Sequence, residues 1–214
     1  MWKESGLMEI LTKSIEQFLR EKLSKKTKNI GYQDLLLIEG ITIDGQDEEK
    51  NKQAVFFNEL KMLKNLKYLE IRNIVISNYM IKLLEDMTYL ENIIFRNCTF
   101  RTTISTMNNL KPLKQLRIEN CKNFNLKYID NLKIKNLTLA DVEINNLNTF
   151  MNNQVTTLDI SRATIKPNLQ LNNLKIKKLV LSHKDYIKHK KQLKNTMYEL
   201  IVMAEDGFYI EIDI

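Results

Sequence analysis

LKQLRIENCKN from Leu113 to Asn123, IKNLTLADVEI from Ile134 to Ile144 and VTTLDISRATI from Val155 to Ile165 repeat one pattern. Positions 1, 4 and 6 of this frame are apolar in each copy. The frame extends outward to LKYLEIRNIVI at Leu66, LENIIFRNCTF at Leu90, IKKLVLSHKDY at Ile176 and MYELIVMAEDG at Met197. Successive starts are 24, 23, 21, 21, 21 and 21 residues apart, and aligning the copies did not force the four equal intervals. In a strand, residues 4 and 6 point to one side and residues 3, 5 and 7 to the other. Each unit therefore carries one buried row that it cannot cover alone, and stacked neighbours must supply the core. An eighth, weaker unit is expected near Tyr32, with Leu35 and Leu37 inward.

On these residues the chain resembles the leucine-rich repeat, LxxLxLxxNxL, over residues 30 to 214. The resemblance implies an α/β solenoid of about seven or eight repeats. Each repeat would contribute one strand to a curved parallel sheet, then a turn and a returning convex segment. The motif's ninth position favours Asn or Cys, and only Cys98 and Cys121 match it here. Asn73, Asn97, Asn120 and Asp141 fall one residue earlier, where short polar side chains suit a turn; no regular asparagine ladder is expected. In the 21-residue units the returning segments should be tight turns or single helical turns.

A solenoid must cover its two ends. From Gly6 to Leu23, apolar residues recur at intervals of three and four, which predicts an amphipathic helix capping the first strand. Residues 1–30 are read as this N-terminal cap and 31–214 as the repeat domain with its terminal cap. A second helix is predicted from Asp47 to Leu63, and a closing strand or hairpin after Gly207, over Phe208 to Ile212.

The 214 residues carry a formal charge of +7, which favours anionic partners through long-range attraction without selecting a fold. No apolar run reaches the length of a membrane span, and no leader or anchor is read. Two cysteines are too few for a secreted disulfide framework, so reduced thiols in the cytoplasm are expected. Cys98 and Cys121 hold equivalent places in adjacent repeats and are read as buried small hydrophobes, with a thiol pair as the alternative.

The raw material for catalysis is poor. His183 and His189 are the only histidines, six apart in a lysine-rich segment, and are read as exposed. The five glycines match no phosphate-binding spacing, and no catalytic, metal or cofactor site is expected. Glu70, Glu119 and Asp159 project from the concave wall on non-adjacent strands, about 10 Å apart at 4.8 Å per strand, which makes no acid/base pair.

Function is therefore expected to be binding. Aromatic and arginine anchors are enriched at protein interfaces, which places a partner surface at Tyr68, Arg72, Ile94, Arg96, Arg117 and Glu119. Internal cross-strand ion pairs are the competing account of the same charges. The segment from Lys175 to Lys194 holds eight lysines against one acid, Asp185. Its Lys178, Lys184, Lys188, Lys190, Lys191 and Lys194 form an alternative patch for nucleic acid or a ribonucleoprotein, though few aromatics interleave them. The reading is a non-catalytic protein-interaction module, with another protein as partner, no membrane, and no cofactor.

Overall fold

The frame positions become strands. The structure, a computed structural model, describes residues 19–20, 30–46, 59–102, 106–147, 150, 155–166, 168–172, 174–194, 196 and 198–212. Within these residues the strands are β1 (Gly40–Asp44), β2 (Tyr68–Arg72), β3 (Val75–Ile76), β4 (Asn92–Arg96), β5 (Thr99–Phe100), β6 (Leu113–Glu119), β7 (Ile134–Ile144), β8 (Val155–Ile165), β9 (Lys178–Ser182), β10 (Glu199–Met203) and β11 (Tyr209–Ile212). One nine-stranded sheet runs β1-β2-β4-β6-β7-β8-β9-β10-β11. Neighbours from β1 to β10 are parallel throughout, and β11 closes the sheet antiparallel to β10. This is the expected leucine-rich-repeat solenoid of eight units with a closing strand.

The register explains the period. Ile41, Leu69, Ile93, Leu116, Leu137, Leu158, Leu179 and Leu200 are paired in one unbroken row across eight strands. All are buried in one continuous core. Of the described residues at positions 1, 4 and 6, only Ile176 is half-buried rather than buried.

The eighth unit stands elsewhere than expected. Leu35 and Leu37 do not supply its inward row, because Tyr32–Leu35 forms a short helix α1 whose Asp34 carboxylate accepts from the Gly31 N–H at 2.9 Å. Leu37 is left 68% exposed. The strand comes later, in IEGITIDG, where Ile38, Ile41 and Ile43 are buried at positions 1, 4 and 6. Gly45 at position 8 of this unit is required for space, since a Cβ there would stand 2.5 Å from the Asn73 carbonyl oxygen.

Position 8 turns the chain. Asn73, Asn97, Asn120 and Asp141 all have φ near +50°, a left-handed conformation that Asn and Asp tolerate better than other non-glycine residues. The N–H groups of Gly45, Asn73, Asn97 and Asn120 each donate to the position-7 carbonyl of the next unit at 2.9–3.0 Å, so the ladder continues past the strand ends. Side chains pair as well, Asn73 Nδ2 to Asp44 Oδ1 at 2.7 Å and Asn120 Nδ2 to Asn97 Oδ1 at 2.9 Å. Only the second contact joins two position-8 side chains, since Asp44 stands at position 7, so no regular asparagine ladder runs through the described residues, as expected.

At position 9 the two thiols are buried and free, as expected of small hydrophobes. Cys98 Sγ lies 3.4 Å from the carbonyls of Ile71 and Arg96, and Cys121 Sγ lies 3.4 and 3.3 Å from those of Phe95 and Glu119. Each thiol, with a single proton to donate, stands within reach of one carbonyl of its own unit and one of the preceding unit. The neighbouring Cys121 thiol, together with burial, pushes the Cys98 thiol up.

The returning side carries the minor sheet β3–β5, helix α2 (Asn78–Glu85), a 3-10 turn at Leu126–Ile129 and helix α3 (His183–Leu193). Eleven residues of α3 exceed the single turns expected of a 21-residue unit. Ser182 caps it, accepting from the Asp185 N–H at 3.1 Å and donating to Asp185 Oδ2 at 2.7 Å. Asp185, His189 and Leu193, spaced by four, form its buried stripe. His189 is therefore inside, correcting the expectation that both histidines are exposed; His183 is exposed.

Most of the predicted N-terminal helix and of the Asp47–Leu63 helix lies outside the described residues. Leu19 and Arg20, and Glu59 and Leu60, are helical, with Leu19 and Leu60 fully buried. No helix among the described residues is long and apolar enough to cross a membrane.

Candidate interaction surface

Residues at positions 3, 5 and 7 form the open face of the sheet, and the register places them in rows. Position 3 reads Tyr68, Asn92, Gln115, Asn136 and Thr157; position 5 reads Glu70, Ile94, Arg117, Thr138, Asp159, Val180 and Ile201. Position 7 reads Asp44, Arg72, Arg96, Glu119 and Ala140, and a bulge in β8 then brings Arg162 opposite Ala140. Tyr68, Arg72, Ile94, Arg96, Arg117 and Glu119 are thus gathered on the three adjacent strands β2, β4 and β6.

Two carboxylates lie beneath the guanidinium groups. Glu70 accepts from Arg72 Nε at 2.8 Å and from the Tyr68 hydroxyl at 3.1 Å, and Glu119 accepts from Arg117 Nε at 2.8 Å. Arg96, on the strand between them, reaches both, with Nε 3.4 Å from Glu70 Oε1 and one terminal nitrogen 3.4 Å from Glu119 Oε2. Arg162 lies 3.5 Å from Glu119 and makes a closer pair with Asp141. The carboxylate side chains are 6% and 13% exposed, against 28–45% for the four arginines.

The carboxylates stay ionised for reasons visible in this geometry. The Arg72 hydrogen bond, with help from Tyr68 and Arg96, holds Glu70 below the ordinary carboxylate range against the effect of burial. Burial pulls Glu119 the other way too, yet the Arg117 hydrogen bond and the charges of Arg117, Arg96 and Arg162 hold it low. Burial and the adjacent Glu70 raise the Tyr68 hydroxyl, which therefore keeps its proton and donates it. The ion pairs named as the competing account are present, and Glu70 and Arg162, absent from the expected site, are essential parts of them. Their positions in the repeat frame were the available signal.

Further along, the face changes character. Ala140, Val180, Ile201 and Met203 now stand among Thr138, Asp159 and the Lys178–Glu199 pair, and Ala140 and Val180 are buried among their neighbours.

The lysines divide between two places. Lys178 lies on β9 and pairs with Glu199, whereas Lys184, Lys188, Lys190, Lys191 and Lys194 are exposed on or at the end of α3. Among the described residues none of those five makes a salt bridge; Lys190 sits over the Tyr186 ring, 5.6 Å from its centroid. On the inner side of α3, His189 Nδ1 contacts Gln192 Nε2 at 2.7 Å. An amide nitrogen only donates, so Nδ1 accepts and Nε2 carries the proton, buried without a partner. Burial, with the Lys188 charge nearby, lowers the His189 pKa.

No three His, Cys, Asp or Glu side chains among the described residues gather closely enough to hold a metal ion. No family model matches the chain, and no curated protein does. Among solved structures, it is similar to an internalin (inlF) from Listeria monocytogenes str. 4b F2365, at 14% identity over 88% of each chain and a TM-score of 0.31. At that distance nothing of the internalin's function carries over, and the leucine-rich-repeat architecture stated above rests on strand order and register.

Proposed function

We propose that this protein is a non-catalytic interaction module that receives another protein on the open face of its sheet, around Tyr68, Arg72, Ile94, Arg96, Arg117 and Glu119. The observation that carries this reading is preorganisation. The Tyr68 hydroxyl and the Arg72 and Arg117 guanidinium groups are already anchored on Glu70 and Glu119, so a partner orders few side chains on docking. Apolar neighbours, from the enclosed Ile94 to Ile201 and Met203 at the far end, add the mixed character of a protein interface. The same reading places the protein in the cytoplasm, on the argument of two cysteines held as buried thiols.

A second reading, binding to nucleic acid or a ribonucleoprotein, is favoured by one observation: the five α3 lysines are free of salt bridges among the described residues. The two readings separate by mutation and salt. For a protein partner, Arg96→Ala with Arg117→Ala should abolish nuclease-resistant capture, and neutralising Lys188, Lys190, Lys191 and Lys194 should mainly slow association. For nucleic acid, capture should be nuclease-sensitive and fail in the lysine variant. Affinity should then fall steeply between about 50 and 200 mM salt.

A further inference from the structure

One arginine of the open-face network, Arg96, lacks a short bond to any carboxylate. Arg72 has Glu70 at 2.8 Å, Arg117 has Glu119 at 2.8 Å, and Arg162 has Asp141. Arg96 has no carboxylate of its own. Both its contacts are 3.4 Å long, well beyond the 2.7–2.9 Å of a charge-assisted bond, and both go to carboxylates already engaged by another arginine. Its Nε is buried and makes no hydrogen bond.

The sheet register deepens the imbalance. Arg72 and Arg96 are direct cross-strand partners, so like charges stand side by side, and both approach the same oxygen, Glu70 Oε1. Asp44, the other neighbour in that row, accepts from Asn73 and from the Gln46 N–H on one oxygen, and its charge favours Arg72, its direct cross-strand partner, rather than Arg96. The Arg96 side chain is 36% exposed in all, and because its Nε is buried that exposure belongs to the rest of the side chain, above the two carboxylates.

We propose that Arg96 is the anchor for an acidic side chain, Asp or Glu, of an extended peptide segment of the partner, with its carboxylate seated over Arg96 and Arg72. This rests on the open face being the partner surface. A carboxylate reaching the terminal nitrogens would give Arg96 a short charge-assisted bond that it lacks and screen the Arg72–Arg96 repulsion. Ile94, between Glu70 and Arg117 in the adjacent row, gives the segment an apolar floor.

The test selects binders to the full chain from a displayed random-peptide library and measures synthetic copies by fluorescence anisotropy. Selected peptides are expected to share an Asp or Glu. Replacing that residue by Asn or Gln, or making Arg96→Gln, should each weaken binding about 10- to 100-fold, and the two changes together should cost little more than either alone. Arg96→Lys should recover only part, because a point charge lacks the fork. Arg96→Gln leaves the short Arg72–Glu70 and Arg117–Glu119 bonds intact, and an unchanged circular dichroism spectrum and melting temperature check that it folds.

Three outcomes overturn the proposal. Peptides that lose binding in Thr138→Arg, a block placed on the open face, yet need no acidic residue would remove the Arg96 anchor and keep the open-face reading. Acidic peptides that lose affinity only on neutralising Lys188 and Lys191 would transfer the binding to α3. Failure to select any peptide sensitive to an open-face change would remove both the anchor and the reading on which it rests.

Discussion

The arginines of the open face and the lysines of α3 carry the same charge in opposite circumstances. On the sheet, Arg72, Arg96, Arg117 and Arg162 lie over Glu70, Glu119 and Asp141, and each guanidinium is part of an ion pair. On α3, Lys184, Lys188, Lys190, Lys191 and Lys194 face solvent, while the only acid of the helix, Asp185, is turned inward as part of the Ser182 cap. A guanidinium on a buried carboxylate is a fixed, shaped group. An unpaired ammonium on an exposed helix is a mobile charge that acts at a distance, subject to salt screening. The first surface suits geometric recognition and the second attraction.

The core under both surfaces sets the largest expected effect. Leu116→Ala or Leu137→Ala should cost roughly 2–5 kcal/mol in denaturant titration, because both lie fully buried in the position-4 row. A loss below about half a kcal/mol would place these residues outside the core.

Glu70→Ala should come next, at about 1–3 kcal/mol, since it leaves Arg72 and Arg96 adjacent without their shared acceptor. A cost as small as that of a lysine change would erase the distinction between the two surfaces.

Acid should separate them further. Glu70 and Glu119 have lowered pKa values in the fold, so their contribution is complete above the unfolded value of about 4.3 and is lost as pH falls through the lowered folded value. Urea titrations from pH 7 downward should show this acid limb in the native protein and a flatter one with Glu70→Gln and Glu119→Gln combined. Unchanged limbs would mean that the network contributes no pH-dependent stability.

The helix has its own, milder pH dependence. Because the His189 pKa is lowered, the unfolded chain takes up the proton first, and stability declines as pH drops below about 6.5. Asp185 on the same helix favours the charged ring and Lys188 opposes it, with burial the larger influence. His189→Leu should remove this slope; a slope that persists would have to come from other groups.

The smallest effect belongs to the exposed lysines. Lys188→Gln and Lys191→Gln should each change stability by no more than about 0.5 kcal/mol, even where they alter association rates. A larger loss, read from the same titrations, would reveal a structural role that their exposure does not suggest.

Much of this architecture could be read directly from the chain. The 21-residue interval, the apolar residues at positions 1, 4 and 6 and the strand-forming run after Gly207 already specify stacked parallel strands and a closing strand, because each unit shows its inward row within a few residues. The asparagines before position 9 announced the turn, although not its left-handed backbone. Two further local patterns carry structure as well: Ile38, Ile41 and Ile43 mark the eighth unit, beside the competing run at Leu35 and Leu37, and Ser182-x-x-Asp185 marks the start of a helix.

Only the tertiary structure decided which charges are engaged. Arg96 meets Glu70 on the preceding strand and Glu119 on the following one, so the environment of one side chain depends on residues 26 positions before it and 23 after. Hydrophobic period is a local property and survives in a one-dimensional reading. Ion pairing and the burial of His189 depend on register, side-chain reach and what packs above, and these exist only once the units have stacked.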